Sequence, residues 1–179
     1  GRIVGIPFVS FTTRTPQLSR AVLLVVDVIQ SIPAFAMFSV LMLAFGLNNN
    51  TVIISIFLYS FFPIVRNTYT GIHNIDRGIL RAGRGIGMTD MQLYTMVQLP
   101  IALPVILSGI RLALITALGI ATTGVLIGAS GLGMLVWRGI QTRNTAMMLS
   151  GAIPVSLLAV FFDLLLSQVE KRMGKRTKT

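Results

Sequence analysis

Five apolar runs, separated by short polar segments, dominate this sequence. An α-helix needs about 20 apolar residues to cross about 30 Å of hydrocarbon. The runs are continuous and do not alternate as the strands of a membrane β-barrel do, so helices are the expected spanning element. We therefore predict an all-α membrane protein with about five spans, the first of them truncated. The runs occupy residues 3–13, 21–47, 51–66, 100–127 and 146–168.

The two shortest runs raise separate questions. Residues 51–66 cross the hydrocarbon only if Arg66 extends its side chain toward the interface; otherwise they lie buried in a helical bundle. Residues 3–13 are too short to span and do not resemble a cleavable signal peptide. We expect the rest of a first span to precede Gly1. Whether a fused binding domain follows Thr179 is left open.

Composition supports a membrane protein with no thiol chemistry. Hydrophobic residues make up 54% of the 179 residues and charged residues 11%, with a mean hydropathy of +0.82. Soluble domains carry roughly a quarter charged residues. The sequence has no cysteine, which excludes disulfides and thiolate metal sites.

The basic residues fall mainly in three polar segments that alternating spans place on one side. Eleven of the 15 basic residues lie between the first and second runs, from Arg66 to Arg84, or in the C-terminal tail. The opposite connections hold only Arg138 and Arg143. Because basic loops remain cytoplasmic, the three segments are predicted to face the cytoplasm. The net charge of +10 then reflects topology and contact with the lipid bilayer, and not nucleic-acid binding.

A polar segment at residues 73–98 interrupts the apolar pattern on this basic side. Asn74 is predicted to cap a short helix over 75–82, which alternate glycines then end. A capping box opening at Thr89 predicts a second short helix that ends before Pro100. The segment is either a structured loop at the membrane surface or a docking element for a cytosolic partner.

The same segment resembles the cytoplasmic signature of type I ABC importer permeases. That signature is Glu-Ala-Ala, three residues, Gly, nine residues, Ile-x-Leu-Pro, and this chain has "RAG", Gly87 and "VQLP" at the matching spacing. The resemblance implies the transmembrane fold of these permeases and a coupling role for this segment. Arg81 replaces the glutamate and requires an acidic partner or solvent. The implied coupling residues are Arg81, Ala82, Gly83, Gly87, Met88, Thr89, Asp90, Met91, Leu99 and Pro100.

A narrower resemblance covers most of the chain. The segments "VIQSIPAFA", "PIVRNTYTGI", "LPIALPVILSGIR" and "IGASGLGMLVWRGIQ" are similar to the osmoprotectant branch, which imports glycine betaine, carnitine and choline. This resemblance implies a single multi-pass permease domain in the bacterial plasma (inner) membrane. It also implies a second permease copy, a dimer of cytosolic ATPase subunits that bind ATP and Mg²⁺, and an extracytoplasmic binding protein or fused binding domain. The chain itself would hold no cofactor.

Three ionisable residues lie inside the predicted spans, where charges are costly: Asp27, Arg111 and Asp163. They form either an arginine–aspartate pair that fixes helix packing or a gate on the translocation path. We predict that Arg111 pairs with an aspartate, and favour Asp163 because the fourth and fifth spans are consecutive. The further candidates for the path surround a proline that interrupts the second run: Gln30, Ser31 and Pro33.

The sequence contains no combination of residues typical of a catalytic or metal site. We therefore predict a non-catalytic permease subunit of an ATP-driven importer for quaternary-ammonium solutes. One alternative keeps the class and changes the solute to another small zwitterion or an amino acid such as methionine. A more distant alternative is a passive channel or a signalling membrane subunit, which would not need the coupling segment.

Overall fold

The computed structural model describes residues 16–176, and these residues form helices joined by short connections. This confirms the predicted all-α class. The α-helices are α1 (Pro16–Ser31), α2 (Ala34–Phe45), α3 (Asn49–His73), α4 (Arg77–Gly85), α5 (Asp90–Gln92), α6 (Leu99–Thr123), α7 (Leu132–Gln141) and α8 (Thr145–Arg176).

Three stretches of the described residues are long and apolar enough to cross a membrane. They are Asn49–His73, Asp90–Ile127 and Thr145–Met173, and α1 with α2 makes a fourth if a bent pair counts as one span. The predicted partial span at 3–13 lies outside the described residues.

The second predicted span, 21–47, is not one continuous helix. Leu23–Ser31 and Ala34–Phe45 meet at an angle of 99°. Pro33 has an extended backbone, with ψ of 141°, so helical geometry stops there. The freed carbonyl of Ile32 accepts a hydrogen bond from the Tyr59 hydroxyl at 2.5 Å. The interruption of the second run at Pro33 is thus a full break between two helices, and a hydrogen bond from α3 stabilises it.

Helix α3 is longer than the apolar run 51–66 from which it was predicted. The Asn48 side chain caps its first turn by accepting from the backbone N–H groups of Asn50 and Thr51. At the other end the helix continues seven residues past Arg66 and stops at His73. At 25 residues it is long enough to span, so Arg66 does not mark its end.

The segment Asp90–Ile127 forms one continuous helix of 38 residues, although the prediction divided it before Pro100. A π-helical turn at Leu93–Gln98 joins α5 to α6, and the Leu99 N–H bonds to the Tyr94 carbonyl five residues back. A proline inside a helix lacks an N–H and crowds the carbonyl four residues before it. The wider turn lies directly before Pro100, so the chain passes the proline without a break. We call this segment the long helix.

Small residues let the long helix pack closely on α3. A Cβ added to Gly109 would lie 2.9 Å from the Pro63 carbonyl oxygen, and one added to Gly124 would lie 2.7 Å from Val52. Ala102 and Ala113 on the same helix are buried. Such small residues characterise close helix contacts in membranes. These two helices form the centre of the molecule.

The chain reverses direction after the long helix. Gly128 and Gly131 both have positive φ, at 91° and 140°, and make the turn that leads into α7. Helix α8 follows and packs against both α7 and α6. Its bounds, Thr145–Arg176, extend beyond the predicted 146–168 because the apolar helix continues into the basic tail.

Candidate functional site

The polar segment 73–98 folds as a helix, a turn and the first part of the long helix. We call it the joint. Asp76, not Asn74, caps α4: its carboxylate accepts from the N–H groups of Gly78 and Ile79 at 2.5 and 3.3 Å. Asn74 instead terminates α3, donating its N–H to the Thr70 carbonyl. The predicted helix 75–82 is therefore displaced to Arg77–Gly85.

The turn of the joint lies at Gly87, whose φ of +84° favours glycine. The N–H groups of Gly87 and Met88 bond back to the carbonyls of Arg84 and Gly83 at 3.0 and 3.1 Å. Gly83 does not end the helix, contrary to the prediction, whereas Gly85 is its last residue. Gly83 is buried in α4, where an added Cβ would lie 2.6 Å from Leu93. Gly83 therefore permits close packing of the two arms of the joint, which are α4 and the first part of the long helix.

The predicted capping box at the start of the long helix is confirmed. The Thr89 N–H donates to the Gln92 side chain at 2.9 Å, and the Gln92 N–H donates to the Thr89 hydroxyl at 3.3 Å. Asp90 lies in this first turn and approaches Arg84 at 3.7 Å. Both of these side chains are largely exposed, so their attraction contributes little stability.

Large apolar side chains protrude from this otherwise polar joint. Ile86 is 81% exposed and Met91 is 66% exposed, and Ile79 on α4 is exposed as well. Tyr94, on the same helix as Met91, is by contrast buried against Ile72 and Ala102. Ile86 was missed, although an isoleucine between two glycines in a polar segment is a sequence signal for an exposed contact.

Other residues that the resemblance implies for coupling lie around these apolar groups. Arg81 and Ala82 are exposed, and Met88 is half-buried. The Arg81 guanidinium bonds the Arg77 carbonyl at 3.3 Å and makes no ion pair within residues 16–176. A groove of about 410 Å³ opens between α4 and the start of the long helix, with Arg77, Arg84 and Asp90 among its lining residues. The joint thus offers both apolar and charged contacts to another protein.

A second polar site joins the long helix to α8, and we call it the Arg111 cluster. Arg111 donates from Nε and Nη2 to the two carboxylate oxygens of Asp163, at 2.5 and 2.9 Å. Glu170, two turns further along α8, lies 3.7 Å from Arg111 and accepts from the Ser108 hydroxyl at 2.6 Å. The predicted Arg111–Asp163 contact is confirmed. Glu170 and Ser108 were missed, although each lies on the same helix face as its neighbour in the pair.

Asp27 does not join the Arg111 cluster. It pairs with Arg66 of α3 at 2.5 Å, through a single hydrogen bond, and both side chains are about half exposed. Ser31 donates its hydroxyl to the Asp27 carbonyl at 2.8 Å, and Gln30 is half-buried nearby on α1. The predicted path residues therefore divide between two places: α1 with its bend at Pro33, and the Arg111 cluster.

The described residues contain no group of three or more histidine or carboxylate side chains able to hold a metal ion. Within residues 16–176 the chemistry consists of ion pairs between helices and an exposed joint. These features define a class: an integral membrane protein whose spans are α-helical and whose polar joint continues into one of them.

The particular family follows from comparison with known proteins. Residues 3–175 match the family described as "Binding-protein-dependent transport system inner membrane component", and the chain belongs to this family.

Relatives of known function are similar over nearly the whole chain. The glycine betaine/carnitine/choline transport system permease protein OpuCD of Bacillus subtilis is 50% identical over 96% of this chain and 76% of its own length. The choline transport system permease protein OpuBD of the same organism is 48% identical over the same shares. The carnitine transport permease protein OpuCD of Listeria monocytogenes is 45% identical over 96% of this chain and 78% of its own length.

Solved structures show the same fold. An inward-facing form of the MetNI methionine ABC transporter matches 96% of this chain and 86% of the matched chain, with a TM-score of 0.80 and 24% identity. A second inward-facing form gives a TM-score of 0.77 at 22% identity. The predicted type I ABC importer transmembrane fold is thereby confirmed.

Proposed function

We propose that this chain is the permease subunit of an ATP-driven importer for quaternary-ammonium solutes in the bacterial plasma membrane. Two permease copies and two cytosolic ATPase subunits form the transporter, and an extracytoplasmic binding protein or fused domain delivers the solute. The chain hydrolyses nothing itself. The family membership supports the transport role, and the transported solutes of the relatives support the solute class.

The single observation that carries this mechanism is the continuity of the joint with a span. The exposed side chains of Ile79, Ile86 and Met91 provide an apolar contact for the ATPase subunit. The arm that bears Met91 continues without interruption to Ile127. A displacement of the joint therefore moves the long helix directly, with no flexible connection between them.

The Arg111 cluster extends this movement to a second span. Bidentate pairing with Asp163 fixes distance and angle between the two helices, and the contacts of Glu170 add a further point of attachment two turns away. The long helix and α8 then move together. Asp27, Gln30, Ser31 and Pro33 lie at the bend of α1 and α2 and form the candidate part of the solute path that lies outside this rigid pair.

The proposed solute is supported by the relatives and tested by uptake. The complete transporter is reconstituted in liposomes with internal ATP and its binding protein, and uptake of labelled glycine betaine, carnitine and choline is measured. We expect saturable, ATP-dependent uptake of at least one of these solutes. ATP-dependent uptake of methionine alone would show that the solute is an amino acid and not a quaternary-ammonium compound. Solute flux without ATP or the ATPase would favour a passive channel.

The proposed orientation is tested with single cysteines, since the chain has none of its own. Gly85→Cys reports on the joint, where an added side chain meets open space, and Asn49→Cys reports on the opposite connection. We expect a membrane-impermeant maleimide to label Asn49→Cys in intact cells and Gly85→Cys only after permeabilisation. Labelling of Gly85→Cys in intact cells would contradict both the topology and the coupling role.

A further inference from the structure

Two arginines lie where α7 ends and the chain turns into α8, on the side of the molecule opposite the joint: Arg138 in the last turn of α7 and Arg143 in the connection. We call residues 137–144 the α7–α8 corner. Arg138 and Arg143 are both exposed, and neither makes an ion pair within residues 16–176. The sequence has no acidic residue between Asp90 and Asp163. The corner is therefore a concentration of positive charge that the neighbouring chain does not neutralise.

The corner is held rigidly by backbone contacts. A Cβ added to Gly139 would lie 2.5 Å from the backbone nitrogen of Met148, so α7 and α8 touch at this point. A Cβ added to Gly151 would lie 2.8 Å from the Leu132 carbonyl oxygen, and Gly133 packs in the same way on Thr122 of α6. A surface fixed in this way loses little conformational entropy when a partner binds.

Arg143 occupies a backbone conformation that glycine would adopt more easily. Its φ is +52°. Among the described residues, all others with a positive φ are glycines. The N–H groups of Arg143 and Asn144 bond to the carbonyls of Ile140 and Gly139 at 3.2 and 2.8 Å, which is a Schellman helix end. Glycine or asparagine is preferred at that position, so an arginine there lowers the stability of the fold. Its charged side chain nevertheless remains exposed.

We propose that the α7–α8 corner is the contact surface for carboxylate side chains of the extracytoplasmic binding protein. This inference rests on the proposed function, which places the corner outside the cell and requires a binding protein to reach that face. Arginine pairs with carboxylates through two parallel hydrogen bonds, and its charge accelerates the encounter with an acidic surface. Trp137 and Ile140, 37% and 49% exposed, supply apolar contact beside the charges.

A binding protein fits this corner better than a lipid phosphate does. The two arginines are the only charged residues that the sequence places in the connections opposite the joint. Transport in this family depends on a binding protein, by the family's own description. Because these are the charged residues of the described connections opposite the joint, they determine where an acidic partner contacts the permease.

The test measures affinity of the binding protein for the complete transporter in nanodiscs made only of phosphatidylcholine, which has no net charge. We expect Arg138→Glu with Arg143→Glu to weaken binding at least tenfold, mainly through slower association, and to remove most of its dependence on salt. The control Lys171→Glu with Arg172→Glu changes the charge by the same amount on the joint side and should leave affinity unchanged. Equal affinity of the wild type and the Arg138/Arg143 variant would overturn the proposal.

Arg143→Gly separates charge from backbone strain. We expect this variant to melt at a higher temperature than the wild type and yet to bind the binding protein several-fold more weakly, whereas Arg143→Lys should retain most of the affinity. A stabilised Arg143→Gly variant with unchanged affinity would mean that the corner is only a turn. Unchanged affinity together with loss of copurifying anionic phospholipid would mean a lipid site, and it would equally overturn the proposal.

The same measurements separate this inference from the proposed function. If the wild-type transporter binds no binding protein and takes up no solute, the proposed function fails. If the wild type binds and transports, and the double variant does both equally well, the function stands and only the α7–α8 corner is excluded.

Discussion

Proline has opposite effects in the first apolar helices and in the long helix. At Pro33 the chain breaks, and α1 meets α2 at 99°. In Asp90–Ile127 the helix passes both Pro100 and Pro104 and remains one unit. The difference lies in what satisfies the backbone nearby: a hydroxyl from α3 holds the Ile32 carbonyl, whereas a π-helical turn precedes Pro100.

A proline in an apolar run therefore predicts an interruption of the helix but not the form that it takes. A break makes α1 and α2 two separately oriented elements. A wide turn keeps the long helix continuous from the joint to the Arg111 cluster, and in the proposed function this helix acts as a lever. Turns of this π-helical kind often mark functional positions in helices. The ion pairs differ accordingly, since the lever carries a bidentate pair and α1 a single exposed hydrogen bond.

The largest expected effect comes from the turn that places the lever. Gly87 needs positive φ, so a β-branched residue there costs on the order of 1 kcal/mol or more and displaces the start of the long helix. We expect Gly87→Val to insert normally but to lose uptake and solute-stimulated ATP hydrolysis. Gly85→Val is the control, because Gly85 is helical and also faces open space. Equal uptake by the two variants would remove the joint from the mechanism.

The next effect concerns the attachment of α8 to the lever. Arg111→Met leaves the half-buried Asp163 without its partner, and Asp163→Asn leaves Arg111 with only the longer contact to Glu170, so each should destabilise the protein. We expect the double variant to recover part of the loss, with a coupling energy of about 1–3 kcal/mol in thermal unfolding of detergent-solubilised protein. Simple addition of the two losses would contradict a pair that holds these helices.

The break at Pro33 should be more weakly held. Tyr59→Phe removes the hydroxyl that bonds the Ile32 carbonyl while keeping the buried ring. We expect a loss of about 1 kcal/mol in unfolding free energy, the usual contribution of one such bond. Tyr69→Phe serves as the matched control away from the break. If Tyr59→Phe cost no more than the control, the bend would not depend on this hydrogen bond.

The smallest effect should come from the pair that joins α1 to α3. Asp27 and Arg66 are about half exposed and share one hydrogen bond. A double-mutant cycle with Asp27→Asn and Arg66→Met should give a coupling energy below about 1 kcal/mol, as exposed pairs do. A coupling as large as that of Arg111 with Asp163 would remove the contrast between the broken and the continuous helix.

The sequence predicted those features that depend on local chemistry. Apolar length indicated the spans, the Thr89 and Gln92 side chains indicated the capping box, and the cost of an isolated guanidinium indicated the pairing of Arg111. These predictions held because each depends on neighbours along the chain or on a strong energetic requirement. The roles proposed for the paired residues in transport stay predictions.

The errors arose where contacts between distant elements decide the structure. Residues 67–73 look too polar for a span, yet they extend α3, where Gly71 packs against Ala102 and Val105. Asn74 and Asp76 are both good caps, and the point at which α3 ends determined which of them began α4. Glu170 was not predicted in the Arg111 cluster because the contact needs α8 to pass alongside Ser108 for two further turns.

A distance between the two ends of the long helix shows whether this helix moves as one body. Spin labels at Met91 and Leu126, both exposed, lie 35 residues apart, about 52 Å in a straight α-helix. Labelled chains are diluted with unlabelled ones in the reconstituted transporter, and the distance is measured by pulsed electron resonance with and without trapped nucleotide. We predict one narrow distribution that keeps its position in both states. A distribution that shifts or divides when nucleotide is trapped would show that the π-helical turn bends, and it would contradict the lever.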